Sequence, residues 1–184
     1  MISIISLAIA GLIVIYLISA FNSLVKLKNM TEEGWSGIDV QLKKRYNLIP
    51  NLVSTIKGYA THEKEVFENV AAMRSTGINA QTVKEQGQAE NMITQALGRL
   101  FAVAENYPDL KASDNFADLQ NQLTEIERDI ELARRYYNGT VRENNIKVES
   151  FPSNIVASMF NFKKFDFFEL DDNAPRTAPK VDFT

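Results

Sequence analysis

The chain has no cysteine, one histidine, eight glycines and five prolines among its 184 residues. The lack of cysteine excludes disulfides, thiolate metal sites, cysteine nucleophiles and a lipidated N-terminal cysteine. The small numbers of glycines and prolines favour long regular elements over a turn-rich β fold. The formal net charge of -3 provides no strong overall attraction to nucleic acid, so we expect no nucleic-acid partner.

The single histidine, His62, lies in the sequence THEKE, which resembles the start of the zinc-hydrolase motif H-E-x-x-H. That motif needs a second histidine where this chain has Val66. An acyl-transfer triad would need the same histidine, and no nucleophile is directed at it. The sequence instead favours a helix start, with Thr61 as the N-cap and Glu63 and Glu65 in the first turn. We therefore predict no catalytic residue, no metal and no cofactor.

Residues 1–25, MISIISLAIAGLIVIYLISAFNSLV, contain no charged side chain. A helix needs about 20 apolar residues to cross the hydrocarbon core, so this run predicts an uncleaved transmembrane helix. A signal peptide would have basic residues ahead of a shorter apolar core, whereas Lys26 and Lys28 follow this run. Because positive charge near a span stays on the cytoplasmic side, we predict an external N-terminus and a cytoplasmic body. Lys26 and Lys28 are then membrane-interface residues beside the lipid headgroups.

After the span, apolar residues recur alternately every three and four positions, which is the period of a bundle or coiled-coil helix. The first such series continues without a break from the span to about Tyr59. We therefore predict one long helix that ends near Gly58. Pro50 lies inside this helix, off its apolar face, where it removes one backbone hydrogen bond.

Three further helices are predicted. The second ends before the polar stretch RSTGINAQTVKEQGQ, residues 74–88, which we interpret as a loop that re-enters a helix somewhere in the eighties. The third ends before Pro108, and the turn PDLKASDN separates it from a fourth whose apolar series runs from Phe116 to Val141. The sequence therefore predicts an all-α chain, in which the transmembrane helix continues into an antiparallel four-helix bundle over residues 26–150.

One side of the predicted fourth helix is polar, since Glu127, Arg134, Asn138 and Asn145 follow at intervals of seven, four and seven. Arg45 lies on the apolar series of the first helix, so it must be buried with a partner or extend to solvent. We hypothesise that Arg45 pairs with Glu127 or another carboxylate and fixes the register of the bundle. Arg134 and Asn138 complete this candidate buried polar network. The alternative is that the polar stripe is a solvated flank.

The C-terminal part of the chain has a different composition. Residues 151–170, FPSNIVASMFNFKKFDFFEL, contain six phenylalanines and include Pro152 and Ser153, two candidates for ending the fourth helix. So many aromatic side chains must be covered by the bundle, by a neighbouring subunit or by the membrane surface. Residues 171–184 are polar, contain two prolines and predict a flexible tail.

Four segments resemble successive signature segments of the LemA family: GWSGIDVQLKKRYNLIPNLVSTIKGYATHE, AVAENYPDLKASDNFADLQNQL, ARRYYNGTV and FPSNIVA. They occur in the family's order behind the same kind of N-terminal span, and they cover most of residues 1–169. The resemblance implies a bacterial cell-membrane protein with a single span, an external N-terminus, a cytoplasmic helical bundle and no enzymatic activity. The chain departs from the family pattern at Glu33 and Gly34, usually Asn-Ala, and at Asn144 and Asn145, usually Tyr-Asn.

Together these features predict a non-enzymatic, single-pass membrane protein. Its expected role is structural or scaffolding, through self-assembly into a homo-oligomer or through recruitment of a partner at the lipid bilayer. The alternative is a membrane-anchored signalling or regulatory accessory that transmits a change to a cytoplasmic protein partner. The nucleotide-binding motifs G-x-x-x-x-G-K-[S/T] and G-x-G-x-x-G are both absent from the sequence.

Overall fold

The computed structural model describes residues 2–169. Within these residues all regular secondary structure is helical, which confirms the predicted all-α fold. The predicted tail, residues 171–184, lies outside the described residues. The helices are α1 (Ile2–Lys57), α2 (Lys64–Asn79), α3 (Val83–Ala104), α4 (Pro108–Lys111), α5 (Asp114–Glu149) and α6 (Ser153–Met159).

Helix α1 is one uninterrupted helix of 56 residues, and Gly58 follows its last residue, as predicted. At a rise of 1.5 Å per residue it is about 84 Å long. Its large apolar side chains between Ile4 and Ile18 are exposed, except that of Leu17, which is partly buried. Within residues 2–169, α1 is the one helix long and apolar enough to cross a membrane. The exposed apolar part therefore continues directly into the part that forms the bundle.

Helices α1 and α5 run antiparallel along most of the bundle. Gly34 of α1 lies beside Tyr137 of α5, and Arg45 of α1 lies beside Glu127 of α5. Residue numbers increase along one helix as they decrease along the other, which defines the antiparallel direction. Helices α2 and α3 form a hairpin around residues 80–82, and this hairpin packs against α1.

The four long helices share one hydrophobic core, which agrees with the predicted antiparallel four-helix bundle. The core side chains come from the positions at which apolar residues recur every three and four residues. Fully burying each Leu, Ile, Val or Phe side chain contributes about 1.5–3 kcal/mol. Buried members include Ile38, Leu42, Ile49 and Leu52 of α1, Phe67 and Val70 of α2, Ile93, Leu97 and Leu100 of α3, and Phe116, Leu123, Ile130 and Val141 of α5.

The connection between α2 and α3 is much shorter than predicted. The polar stretch, residues 74–88, is helical except at residues 80–82. The third helix begins at Val83, within the expected range, whereas α2 continues to Asn79, beyond its predicted end. A capping box starts α3: the Thr82 hydroxyl accepts from the Glu85 N–H at 3.1 Å, and the Glu85 carboxylate accepts from the Thr82 N–H at 3.1 Å. Hydrogen bonds from the backbone N–H groups of Gln81 and Thr82 lower the pKa of Glu85. The T-x-x-E pattern signals this helix start despite the polar composition.

Helix α2 begins later than predicted. Its first residue is Lys64, Glu63 occupies the N-cap position, and no side chain caps the helix there. The predicted N-cap, Thr61, lies in the preceding turn with the exposed His62. The N–H of buried Phe67 donates to the Glu63 carbonyl at 3.3 Å. The first turn therefore forms where Phe67 can enter the core, and this packing decides the start.

Candidate functional site

Arg45 is the largest fully buried side chain among residues 2–169, with 2% of its surface exposed. Its Nη1 donates to Glu90 Oε2 at 2.7 Å, while its Nη2 lies 2.9 Å from Glu127 Oε1. Nη2 also donates to the Thr94 hydroxyl at 3.0 Å. A buried guanidinium is strongly destabilising unless its charge and its N–H groups are satisfied. Carboxylates from α3 and α5 therefore join α1 to both neighbouring helices.

Glu90 is the centre of this buried cluster, and only 2% of its side chain is exposed. Besides Arg45, its carboxylate accepts hydrogen bonds from the Tyr46 hydroxyl and, at 2.8 Å, from Gln86 Nε2. Gln86 Nε2 also donates to the Tyr46 hydroxyl oxygen at 2.6 Å. Burial, followed by the charge of Glu90, raises the pKa of Tyr46 far above its usual range. Tyr46 therefore remains a hydrogen-bond donor throughout the physiological pH range.

Glu127 differs from Glu90 because 40% of its side chain is exposed. Burial of its carboxyl raises the pKa of Glu127; the Arg45 charge opposes this shift, and the Glu90 charge adds to it. One buried cation thus faces two carboxylates of unequal burial. The arrangement makes Glu90 the principal partner of Arg45 and Glu127 a secondary one.

The structure brings together only part of the candidate network proposed from the sequence. Arg45 and Glu127 are in contact, as the hypothesis requires, but Asn138 bonds elsewhere, to Phe168. Arg134 is partly exposed, and within residues 2–169 no hydrogen bond or ion pair joins it to another side chain.

Sequence reasoning missed Glu90, Gln86, Tyr46 and Thr94. A signal was present, because Gln86, Glu90, Ile93 and Leu97 follow at intervals of four, three and four. Glu90 therefore lies on the buried face of α3, where an unpaired carboxylate would be costly. A buried arginine on one helix and a buried glutamate on another are therefore expected to form an ion pair.

A second polar contact compensates for Pro50 inside α1. Proline has no N–H, so the Tyr46 carbonyl four residues earlier lacks its helical donor. Arg74 of α2 supplies one: its Nε donates to the Tyr46 carbonyl oxygen at 2.7 Å. Gly77 lies one turn later on α2, and a Cβ there would lie 2.6 Å from the Tyr46 hydroxyl oxygen. Glycine at this position therefore allows α2 to approach Tyr46.

After α6 the chain returns along α5 as a non-helical segment, residues 162–169, which we term the C-terminal segment. The side-chain amide of Asn138 bonds both backbone groups of Phe168: Oδ1 accepts from its N–H at 2.9 Å, and Nδ2 donates to its carbonyl at 3.1 Å. Asn145 bonds Phe165 in the same way, with both distances 2.9 Å. Each asparagine amide thus makes the two backbone hydrogen bonds that a neighbouring strand would make to an extended chain in a sheet.

The spacing of the two asparagines matches the spacing of the residues they hold. Seven residues of α-helix rise about 10.5 Å, and three residues of nearly extended chain span about 10 Å. Asn138 and Asn145 therefore have the correct separation for Phe168 and Phe165. Nearby, Asn144 Nδ2 donates to the Lys163 carbonyl at 3.2 Å.

The C-terminal segment also closes one side of the core. Phe168 is completely buried, and its ring centroid lies 5.7 Å from that of Trp35 on α1. The Tyr137 hydroxyl donates to the Asp166 carbonyl at 2.9 Å. Burial, together with the Asp166 charge, raises the pKa of Tyr137 to about 12. Residues 162–169 are therefore part of the bundle of their own chain.

Helix α6 lies against α1 where the apolar run ends. Its Val156 and Ala157 form a small second core with Ala20 and Leu24 of α1. The ring of Phe21 lies 4.7 Å from that of Phe160 and 5.7 Å from that of Phe162. Lys26 and Lys28, the predicted membrane-interface residues, follow directly on α1 and are exposed. Aromatic side chains and lysines thus occupy neighbouring levels along α1.

Chemically, the cluster around Arg45 is a set of buried hydrogen bonds in which, within residues 2–169, the Arg45 Nε is the one buried polar atom without a partner. Its side chains bond mainly to one another, which suits a structural role at the junction of three helices. Within residues 2–169 no three His, Asp or Glu side chains converge as metal ligands would. The fold and these contacts define a class of protein: a helical bundle extended by a helix that is long and apolar enough to cross a membrane.

Comparison with known proteins places the chain in a family. A model of the LemA family matches residues 34–183, so the chain belongs to the LemA family. Magnetosome protein MamQ 2 of Paramagnetospirillum magneticum is 27% identical over 179 residues, which cover 83% of this chain and 66% of that protein. Protein LemA of Metamycoplasma hominis is 25% identical over 152 residues, which cover 82% of this chain and 69% of that protein.

A further relative, magnetosome protein MamQ of Magnetospirillum gryphiswaldense, is 23% identical over 178 residues, which cover 83% of this chain and 65% of that protein. The chain thus spans about two thirds of the length of the curated relatives it matches. The family and the apolar N-terminal helix together describe a membrane-associated LemA-family protein.

Proposed function

We propose that the chain is a non-enzymatic scaffolding protein of the membrane, acting by self-assembly or by recruiting a protein partner to the bilayer. The observation that supports this most is the continuity of α1, which runs from Ile2 to Lys57 as one helix. A rigid connection holds the bundle at a fixed height and orientation relative to the membrane. Such an arrangement suits a protein that presents a surface to copies of itself or to a partner.

The same proposal assigns an orientation. Lys26 and Lys28 follow the apolar run, and Lys43, Lys44 and Arg45 come later on the same helix. Basic residues near a span favour the cytoplasmic side, so the bundle faces the cytoplasm of a bacterial cell and the N-terminus lies outside. Labelling single-cysteine variants at Ser3 and Lys57 in intact cells with an impermeant reagent tests this orientation. Labelling at residue 57 but not at residue 3 would contradict it.

The buried cluster supports the structural role. Arg45, Glu90 and Glu127 join three helices, and the desolvation of such charges commonly offsets their attraction. We infer that this cluster contributes more to a defined geometry than to stability. A scaffold needs one defined arrangement of its helices, and the cluster would disfavour shifted registers.

The test of self-assembly is the mass of the full-length chain in native-lipid nanodiscs, compared with a chain that starts at Lys26 in buffer. The shorter chain keeps the large hydrophobic core, whose first member is Ile38. The proposal expects a defined oligomer at full length that persists when excess lipid dilutes the protein. An oligomer at full length and a monomer for the shorter chain would assign assembly to the span and the adjoining helix.

Monomers in both preparations would contradict self-assembly. Recruitment of a partner would then be the remaining form of the scaffold role, together with the signalling alternative. Cross-linking in cells from the exposed face of the bundle distinguishes those two, since a scaffold retains its partner under all conditions. A signalling accessory would bind or release it in response to a stimulus.

A further inference from the structure

We propose that α6 and the residues flanking it insert into the bilayer surface, as a second membrane contact beside α1. Large apolar side chains are exposed on this element, although it belongs to a well-packed chain. Phe151 is 80% exposed, Ile155 51%, Met159 67% and Phe160 56%. Ile155 and Met159 are four residues apart and lie on the same face of the helix. An exposed apolar cluster of this size marks an interaction surface.

The position of α6 along α1 identifies the occupant as lipid. Val156 and Ala157 pack on Ala20 and Leu24, close to the end of the apolar run at Val25. A span needs about 20 residues, so any such window placed in this run ends within a few residues of Leu24. At 1.5 Å per residue, the contact with α6 lies within about 8 Å of the edge of the hydrocarbon.

The exposed face of α6 at this depth contacts the same surroundings as the adjoining part of α1. A helix that spans a bilayer is surrounded by lipid. The exposed face of α6 lies next to the exposed apolar part of α1, and Phe151 and Tyr16 line one shared cavity. Helices that lie in the interface bury their apolar face about 5–10 Å into the boundary between headgroups and acyl chains. The contact between α6 and α1, within about 8 Å of the hydrocarbon edge, falls within that boundary.

The charge pattern fits the same level. Residues 151–162, FPSNIVASMFNF, contain no charged side chain. Lysines lie on the bundle side of this stretch, where headgroup phosphates would be. Two of these lysines also contact carboxylates, Lys28 with Glu32 at 3.7 Å and Lys164 with Glu149 at 2.7 Å. The lysines at this level are Lys26, Lys28, Lys147, Lys163 and Lys164.

The inference requires that α1 spans the bilayer, but it does not require self-assembly. The chain has no cysteine, so one introduced thiol can carry an environment-sensitive fluorophore on the full-length protein. The variants are Met159→Cys on α6, with Leu132→Cys on α5 as a control of similar exposure, 55%. Val14→Cys reports separately on the insertion of α1. Each is reconstituted in phosphatidylcholine–phosphatidylglycerol vesicles with nitroxide groups at shallow or deep acyl positions.

The proposal expects shallow nitroxides to quench the label at residue 159 on the order of threefold more than the label at residue 132, since α6 reaches the acyl boundary. Deep nitroxides should quench the label at residue 14. If the label at residue 14 is quenched but the label at residue 159 is quenched no more than the label at residue 132, the proposal is overturned, whereas the membrane anchor is supported. No quenching at 14 would overturn both.

A second copy of the chain is the competing occupant. If it covered α6, Met159→Cys would form disulfide-linked dimers on oxidation at high lipid dilution, and its label would escape quenching. That result would overturn the lipid contact. Ile155→Cys repeats the measurement one turn away, so a local defect at one position cannot decide the outcome.

Discussion

Arg74 donates a hydrogen bond from its Nε to the backbone carbonyl of Tyr46 at 2.7 Å. This is the carbonyl that would accept from residue 50 in a regular helix, and Pro50 has no N–H to donate. A side chain of α2 therefore repairs a defect in α1. The repair also attaches α2 to α1 at the level of the buried cluster, because the Tyr46 side chain belongs to that cluster.

Replacing Arg74 should expose the defect. Arg74→Met should lower the free energy of unfolding by about 1.5–3 kcal/mol, the range for hydrogen bonds that involve a charged group. Urea unfolding of the full-length protein in detergent, followed by circular dichroism, measures the change. Arg99→Met, at an exposed arginine of α3, should change stability by less than about 0.5 kcal/mol. Equal effects of the two substitutions would contradict the proposed role. The effect of Arg74→Met should also be smaller in a Pro50→Ala background, and an unchanged effect there would contradict the role as well.

The two carboxylate partners of Arg45 should differ in energetic weight. Glu90→Gln leaves a buried guanidinium without its main counter-charge and should cost about 3–5 kcal/mol. Glu127→Gln should change stability by about 1 kcal/mol or less, because 40% of that side chain is exposed. The same unfolding assay compares the two. A larger loss from Glu127→Gln would reverse the assignment of principal partner.

The stability should depend on pH through Glu127. Burial raises the pKa of this carboxyl above its ordinary value of 4.5, an effect that Arg45 offsets only in part. A raised pKa means that the contribution to stability is present below the ordinary value and is lost as the pH rises through the raised one. The free energy of unfolding of the wild type, relative to Glu127→Gln, should therefore fall as the pH rises from acid to neutral. A relative stability that grows with pH would contradict the shift.

The asparagine contacts of the C-terminal segment should be separable by hydrogen exchange. The Phe168 N–H donates to Asn138 Oδ1, whereas the Phe165 N–H donates to Asn145 Oδ1. Asn138→Ala removes two hydrogen bonds and should accelerate exchange of the Phe168 amide by roughly tenfold or more. The Phe165 amide should change less, and Asn145→Ala should reverse the pattern. Unchanged exchange at Phe168 would show that packing alone holds the segment.

Gly87 should be required for the end of the C-terminal segment to lie on α3. A Cβ at Gly87 would lie 2.5 Å from the Glu169 carbonyl oxygen, whereas one at Gly98 of the same helix meets nothing within 4 Å. Gly87→Ala should therefore destabilise the contact and accelerate exchange near Phe168. Gly98→Ala should raise the free energy of unfolding by up to about 1 kcal/mol through helix propensity. Similar stabilisation by both substitutions would contradict the close approach.

The helices and their order were predictable because apolar residues in this chain recur with the helical period. Ile38, Leu42, Ile93 and Leu123 all occupy the core positions that the spacing indicates. The errors occurred where another effect decides. Polar composition suggested a loop at residues 74–88, but a capping box and the packing of Gly77 against Tyr46 keep most of it helical.

The buried cluster was predictable only in part, because spacing shows that Arg45 is buried but does not identify the facing helix. Glu127 follows from a polar stripe, and the spacing of Glu90 places it on the buried face of α3, but only the fold shows that both carboxylates face Arg45. The asparagine contacts were even harder to predict from the sequence. The seven-residue spacing of Asn138 and Asn145 was visible, but the segment that they hold has no periodic pattern.

The central claim is that the membrane segment and the bundle form one rigid unit through α1. Spin labels at Asn22→Cys and Lys44→Cys, two exposed positions 22 residues apart in a chain without cysteine, test it directly in lipid nanodiscs. A continuous helix separates the two Cα atoms by about 33 Å. Double electron–electron resonance should therefore give one narrow distribution of distances between the labels, near that value. A broad distribution, or one centred at a clearly shorter distance, would show that the helix breaks between membrane and bundle.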